Sequence, residues 1–204
     1  MAVRLVPPSE TLLAPGLLLR RYRSSDARAL ARAVRASLPE LSPWLPWATD
    51  GYADTDARTF LDQAAQQWVE GSAFNYAIVR NRRDIVGGIS LMARIGPGGL
   101  EIGYWVDSRH TGRGVARRAA AAVTAAGLAV PGIERIEIHH HPDNAASAAV
   151  PRALGFTRVD DTVDADGRPT GVWRLYAAEL PGSAIPDLLE QRRYGQRSGT
   201  TSST

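Results

Sequence analysis

The 204-residue chain has no cysteine and no lysine, and each absence removes a class of chemistry. Without cysteine there can be no disulfide, no thiolate metal ligand and no cysteine nucleophile, and the cytoplasm is the default compartment. Without lysine, a Walker-type nucleotide loop, which needs Gly-Lys ahead of Ser or Thr, cannot be written. Long apolar runs are missing too. Leu17, Leu18 and Leu19 run straight into Arg20 and Arg21, and Arg4, Pro7, Pro8 and Glu10 break up the stretch that a secretory signal would occupy, so no membrane partner is expected. The net charge is +3, yet no basic segment is interleaved with aromatics and no groove-reading motif occurs, so nucleic acid is not the expected partner. Histidine is scarce: His139, His140 and His141 are consecutive, His110 stands apart, and no second ligand cluster accompanies them, so no metal is expected.

What is present suits one globular α/β domain, with 44% hydrophobic and 22% charged residues. Periodicity and turn signals predict a strand over 17–22, a helix over 24–37, and, after a tryptophan-bearing segment, a helix over 54–70. Strands over 73–80, 84–95 and 99–107 follow, then a helix (112–129), a strand (133–140) and a helix (143–154). Two strands (155–161, 170–180) flank the turn-rich Asp164–Pro169. The order implies a mixed, twisted sheet of about six to seven strands with helices on both faces. Residues 1–16 read as an N-terminal extension and 17–180 as the domain. Residues 181–204 read as a polar, disordered tail, with room for one short helix around Asp187 to Tyr194.

The most informative segment is Glu101-Ile102-Gly103-Tyr104-Trp105-Val106, followed by Asp107-Ser108-Arg109-His110-Thr111-Gly112-Arg113-Gly114 and the alanine-rich run from Val115. A strand breaks into a glycine-punctuated turn and then a helix. Gly112 and Gly114 let backbone N–H groups approach a ligand, and the helix start adds unpaired N–H groups and the positive end of its dipole, so the geometry suits pyrophosphate. A Rossmann fingerprint is excluded, because Arg117 stands where its third glycine belongs and the site lies past the midpoint of the chain. Arg109, Arg113, Arg117 and Arg118 cluster where phosphates would sit, although such a run can equally be a solvated helix face.

Arg109-x-x-Gly112-x-Gly114 after its strand resembles the acyl-CoA loop of the GNAT N-acetyltransferase superfamily. Two further segments agree. His139-His140-His141-Pro142-Asp143-Asn144-Ala145-Ala146-Ser147, ending in Leu154-Gly155-Phe156, is similar to the second GNAT motif in the RimJ/RimL branch of ribosomal-protein N-terminal acetyltransferases. Ser42-Pro43-Trp44-Leu45-Pro46-Trp47 resembles that branch's Pro-Trp-x-Pro-Trp segment. The resemblance implies a GNAT fold and acetyl-CoA as co-substrate. Its site would comprise Trp105, Val106, Arg109, Thr111, Gly112, Arg113, Gly114, Val115 and Ala116, with Asn144 and Ser147 on the pantetheine arm. Trp44, Trp47 and Glu101 would line the amine-acceptor cleft.

Acetyl transfer from a thioester needs a neutral amine, stabilisation of a tetrahedral oxyanion, and a proton for the leaving thiolate. In the family an acidic residue on the strand before the loop often takes the amine's proton. Glu101 occupies that strand and shares a face with Gly103 and Trp105, while Ile102, Tyr104 and Val106 share the other. One of the histidines is an alternative base. Many GNATs place a tyrosine seven positions after the motif asparagine; here Pro151 stands there, and the resemblance shifts the acid's role to Ser147. Ser147 and Asn144 would also serve as plain helix-capping residues. With no cysteine, the transfer is a direct attack within a ternary complex. The acceptor is a primary amine, on a protein N-terminus or a small molecule. An aminoglycoside- or polyamine-type acetyltransferase, a non-catalytic acyl-CoA-binding module, a longer acyl donor and a homodimer all stay open.

Overall fold

The computed structural model describes residues 5–81, 84–159, 161–163 and 167–195, with side chains as far as residue 190. Strands β1 (Thr11–Ala14) and β2 (Leu17–Arg21) form a hairpin, followed by helices α1 (Ala27–Arg35), α2 (Leu38–Leu41) and α3 (Asp54–Glu70). Then come β3 (Ala73–Arg80), β4 (Asp84–Met92), β5 (Gly99–Val106), α4 (Val115–Leu128), β6 (Arg135–His140), α5 (Ala145–Leu154), β7 (Thr157–Arg158), β8 (Thr162–Val163), β9 (Pro169–Tyr176) and α6 (Ile185–Gly195). The strands run β1-β2-β3-β4-β5-β6-β9-β7 across the sheet, with β8 also paired to β9. No helix among the described residues is long and apolar enough to cross a membrane.

The fold is the expected mixed α/β sheet, but the described residues form nine strands where the sequence predicts six to seven. One extra strand, β1, comes from the expected N-terminal extension. At the other end, β7 and β8 replace a single run over 155–161. The first helix starts late because Asp26 holds the Arg23 N–H (2.8 Å) and the Arg20 guanidinium (2.7 and 2.8 Å), fixing Ser24–Asp26 as a separate 3₁₀ turn. The last strand stops at Tyr176, and Ala177–Gly182 forms another 3₁₀ turn containing Pro181. Beyond it, the helix expected around Asp187 to Tyr194 extends over Ile185–Gly195, and Ile185 and Leu188 are buried in the main core, so packing continues past the expected boundary at Leu180. Of the expected connector, Asp164–Asp166 lie outside the described residues, as does the tail from Gln196.

Helices cover the two faces of the sheet unequally. Ala119, Ala120, Ala121 and Val123 of α4 are fully buried against Leu91, Leu100, Ile102 and Ile136. The helix lies so close that a Cβ on Gly127 would sit 2.9 Å from Ile136 Cδ1 and 3.1 Å from Leu91 Cδ2. On the opposite face Leu30, Ala31 and Val34 of α1 meet Ala57 and Leu61 of α3, with Tyr22, Phe60 and Trp105 packed alongside.

The sheet opens between β5 and β6. These strands pair in parallel only from Gly99↔Arg135 to Ile102↔Ile138, whereas β5 stays with β4 as far as Val106 and β6 stays with β9 as far as His140. At the root of the opening, Glu101 and Glu137 are register partners, each only 4% exposed. Like charges opposite one another repel, and here cations offset them. Arg94 Nε donates to Glu101 at 2.7 Å, while His139 (2.7 Å), Arg174 Nε (2.8 Å) and Arg135 Nε (3.2 Å) meet Glu137. Burial would raise the Glu137 carboxyl, but hydrogen bonds from His139, Arg135 and Arg174 outweigh it and hold the group below its ordinary value. Asp107, fully buried, is likewise lowered against its burial by Arg109.

A carboxyl whose pKa falls on folding adds stability above its unfolded value, and that stability is lost as pH falls through the folded one. The melting temperature should therefore stay level from neutral pH to about pH 5 and drop below about pH 4, near and under the ordinary carboxylate range. Glu137→Gln should lower it at pH 7 and flatten the acid fall. Thermal melts across pH check this, and an unchanged acid slope in the variant would remove Glu137 as its source.

Candidate active site

The loop that follows β5 is built around Asp107. Its N–H donates to the Val86 carbonyl (2.9 Å), and its carboxylate accepts from the Arg109 N–H (3.0 Å), Nε (3.0 Å) and Nη2 (2.6 Å). Ser108 ties the same turn to the end of α1, through its N–H to the buried Ser37 hydroxyl (2.9 Å) and its own hydroxyl to the Ala36 carbonyl (3.1 Å). Thr111 Oγ1 closes the turn on the Ser108 carbonyl at 2.8 Å. Gly112 and Gly114 both sit at φ +68°, a conformation costly for L side chains, and nothing lies within 4 Å of a Cβ built at either. The expected helix start at 112 therefore moves to Val115. The first N–H to bond back within α4 is that of Arg118, to the Gly114 carbonyl (3.1 Å), so those of Val115, Ala116 and Arg117 open on the glycine turn.

The four arginines of this region separate. Arg109 pairs with Asp107 and so braces the loop, while its side chain stays largely exposed. Arg113 and Arg117 are exposed. Arg118 donates through Nη2 to the Arg113 carbonyl (3.2 Å), while its Nε is buried without a partner. Burial, with Arg117 and Arg80 nearby, disfavours its charge. An unmet donor and unbalanced positive potential beside free helix N–H groups suit an anion.

Across the opening stands α5. Asn144 caps it, its Oδ1 accepting from the Ser147 N–H at 2.9 Å, and Ser147 is half-buried in the first turn. Facing Ser147 is Tyr104, whose hydroxyl lies 2.9 Å from the Ser147 carbonyl oxygen and 3.0 Å from Oγ. Burial pushes the Tyr104 phenol up to about 12 even though the Ser147 contact pulls the other way. Sequence reasoning assigned Tyr104 to the face of β5 away from Glu101 and gave it no role. The available signal was Pro151, which leaves the carbonyl four residues earlier without a helical donor.

The other face of β5 carries the acceptor-side candidates. Glu101 has Arg94 on both carboxylate oxygens, and His139 Nδ1 lies 3.6 Å away while His139 Nε2 meets Glu137. His139 thus bridges two buried carboxylates. His140 differs: Trp173 Nε1–H can only donate, so His140 Nε2 accepts from it (2.9 Å) and Nδ1–H donates to the His141 carbonyl (2.8 Å), which occupies both ring nitrogens. His141 lies under Trp44, ring centroids 5.6 Å apart, and Trp47 packs on Trp105 at 6.3 Å and on Tyr52 at 6.0 Å. The tryptophan segment therefore spans from β5 to the turn after β6, and Trp44 and Trp47 remain 38% and 44% exposed. Of the carboxylates that follow it, Asp56 accepts the Ala53 N–H (2.7 Å) and Asp54 pairs with Arg35 (3.2 Å). Among the described residues no group of three His, Cys, Asp or Glu could hold a metal ion.

The structure thus brings together an anion-ready loop, a strand opening, a hydroxyl pair on one wall and a carboxylate–imidazole pair on the other. The family profile of the acetyltransferase (GNAT) domain matches residues 16–157. Among solved structures, RimJ of Mycobacterium smegmatis in complex with CoA-disulfide is 27% identical with a TM-score of 0.76, covering 90% of this chain and 93% of that one. RimL, a ribosomal L7/L12 alpha-N-protein acetyltransferase in complex with coenzyme A, is 25% identical with a TM-score of 0.71, covering 84% and 97%. The ribosomal-protein-S5-alanine acetyltransferase of Vibrio fischeri shares the fold at 22% identity and a TM-score of 0.70, covering 84% and 99%. No curated protein matches. With a family profile spanning most of its length, and RimJ and RimL, both solved with CoA, among its structural neighbours, the chain belongs to the GNAT acetyltransferases and is RimJ/RimL-like in fold.

Proposed function

We propose that this enzyme acetylates the free amine of a protein N-terminus by direct attack on acetyl-CoA, with Ser147 as proton donor to the leaving sulfur and Glu101, backed by His139, as the sink for the amine's proton. The observation that carries it is the opening between β5 and β6, with the Tyr104–Ser147 hydroxyls on one side and the Glu101–His139 pair on the other. Likeness to RimJ and RimL supports the acceptor class.

The pyrophosphate would lie on the N–H groups of Val115 and Ala116 and along Gly112–Gly114, with Arg113 and Arg118 supplying charge. Beyond Ile102, β5 has no partner on its β6 side, so backbone groups of Gly103–Val106 are open to the amides of the pantetheine arm, which Asn144 meets from α5. The thioester then reaches Ser147. The amine approaches beneath Trp44, Trp47 and Trp105, its nitrogen attacks the carbonyl carbon, and the C–S bond breaks as sulfur takes the Ser147 proton. A fixed hydroxyl aimed at developing charge costs no reorganisation during reaction. A cationic small-molecule acceptor is the second reading: of the three carboxylates that follow the tryptophan segment, Asp54 and Asp56 are engaged in an ion pair and a helix cap, while Asp50 is exposed.

CoA at 100 times its Kd should raise stability by about 2.7 kcal/mol, read as a thermal shift. Gly114→Val should abolish that shift with the fold intact, because a β-branched residue is strained at positive φ; a preserved shift would show that the loop is structural. Ser147→Ala should cut kcat by about a hundred-fold, on the order of the smallest general-acid effects, with the CoA shift retained. Matched losses of rate and affinity would make Ser147 a packing residue. Glu101→Gln should lower kcat with the CoA shift retained, and His139→Asn should do so partially. Wild-type kcat in both variants would remove this pair as the base.

A further inference from the structure

Pro151 lies inside α5 and is buried. Having no N–H, it cannot donate to the Ser147 carbonyl, which must find another partner or lose free energy. Tyr104 supplies that partner from β5, across the opening, at 2.9 Å. A carbonyl oxygen only accepts, so in this contact the phenol is the donor. The same phenol oxygen is 3.0 Å from Ser147 Oγ. One rotatable proton therefore has two acceptors on a single residue. At rest it satisfies the carbonyl, and the phenol's lone pairs receive the Ser147 hydroxyl. When Ser147 turns its proton toward a sulfur, Oγ gains charge, and the phenol's proton can swing to it.

We propose that Tyr104 is the positioning residue of leaving-group protonation: admitted to the Ser147 carbonyl by Pro151, it fixes the Ser147 hydroxyl and donates to Oγ as that oxygen gives up its proton. The inference rests on the acetyl-transfer reading and on Ser147 as the donor. In the step, the N–C bond forms and the C–S bond breaks with its electron pair on sulfur. Sulfur takes the Ser147 proton, the amine sheds its proton to Glu101, and Ser147 is reprotonated through water as Glu101 gives that proton up. Tyr104 ends with the proton it began with. Its hydrogen bond is stronger to an oxygen losing a proton than to a neutral carbonyl, so it favours the transition state over the ground state.

The test compares wild type, Tyr104→Phe, Pro151→Ala and the double variant. Each is assayed for thiol release from acetyl-CoA with short peptides bearing a free N-terminal amine, and for the thermal shift given by CoA. Tyr104→Phe should lower kcat about ten-fold, the effect of one lost hydrogen bond, with KM for acetyl-CoA and the CoA shift unchanged. The loss should be equal from pH 6 to 9, since the phenol titrates only at about 12. Pro151→Ala restores a helical N–H that competes for the Ser147 carbonyl, so it should raise the melting temperature and yet lower kcat several-fold. In the Tyr104→Phe background it should cost no further activity. Wild-type kcat in Tyr104→Phe, a defect confined to KM and the CoA shift, or additive losses in the double variant would each overturn the inference while leaving acetyl transfer standing. A wild-type protein that binds CoA but releases no thiol with any peptide would overturn acetyl transfer, and the inference with it.

Discussion

Everything at the candidate site depends on two neighbouring strands ceasing to pair. After Ile102↔Ile138, β5 follows β4 and β6 follows β9, and the ladder between them ends. A parallel pair in mid-sheet normally buries its backbone groups completely; here they are left to be satisfied by something else. That single interruption leaves the β6-side edge of β5 beyond Ile102 without a strand partner, between the β5–α4 loop and Ser147 of α5. The contacts holding the two halves in place cross the gap without filling it. Tyr104 reaches α5 on one face, and the tryptophan segment runs from Trp105 to His141 on the other.

Charge is arranged differently on either side of that gap. At the loop, arginine side chains and free N–H groups create positive potential, and the one arginine nearest the strand, Arg109, is neutralised by a fully buried aspartate. That pair keeps the turn in shape, and Arg113 and the partly buried Arg118 stand beside it at the start of α4. At the root of the opening, Glu101 and Glu137 are held side by side by three arginines and an imidazole. Removing any one cation would leave a carboxylate short of a partner in a dry place, which is why such networks change as units.

Much of this was legible in the residues. The β5 strand, the two glycines and the alanine-rich helix are local signals: alternation, positive φ and small side chains each act within a few positions. Asn144 as cap and Pro151 as a missing donor are likewise local. What could not be read depends on partners far away in sequence. Arg109 reads as a free cation until Asp107 is seen to be buried beside it. Glu101 looks like a lone base until Arg94 and His139 close around it. Tyr104 looks like a core residue until α5, more than forty positions later, brings Ser147 to its hydroxyl. The strand count fell short because β1, β7 and β8 are two to four residues long, too brief for alternation to register.

The C-terminal helix α6 gives the fold an order in time as well as in space. Ile185 and Leu188 complete the core around α4, the helix whose first turn opens on the glycine loop. During synthesis the loop, α4 and α5 leave the ribosome well before these two side chains, so α4 must wait with part of its apolar surface uncovered. The core around α4 is therefore completed only when Ile185 and Leu188 have docked, and a chain ending near Leu180 would leave that apolar surface exposed.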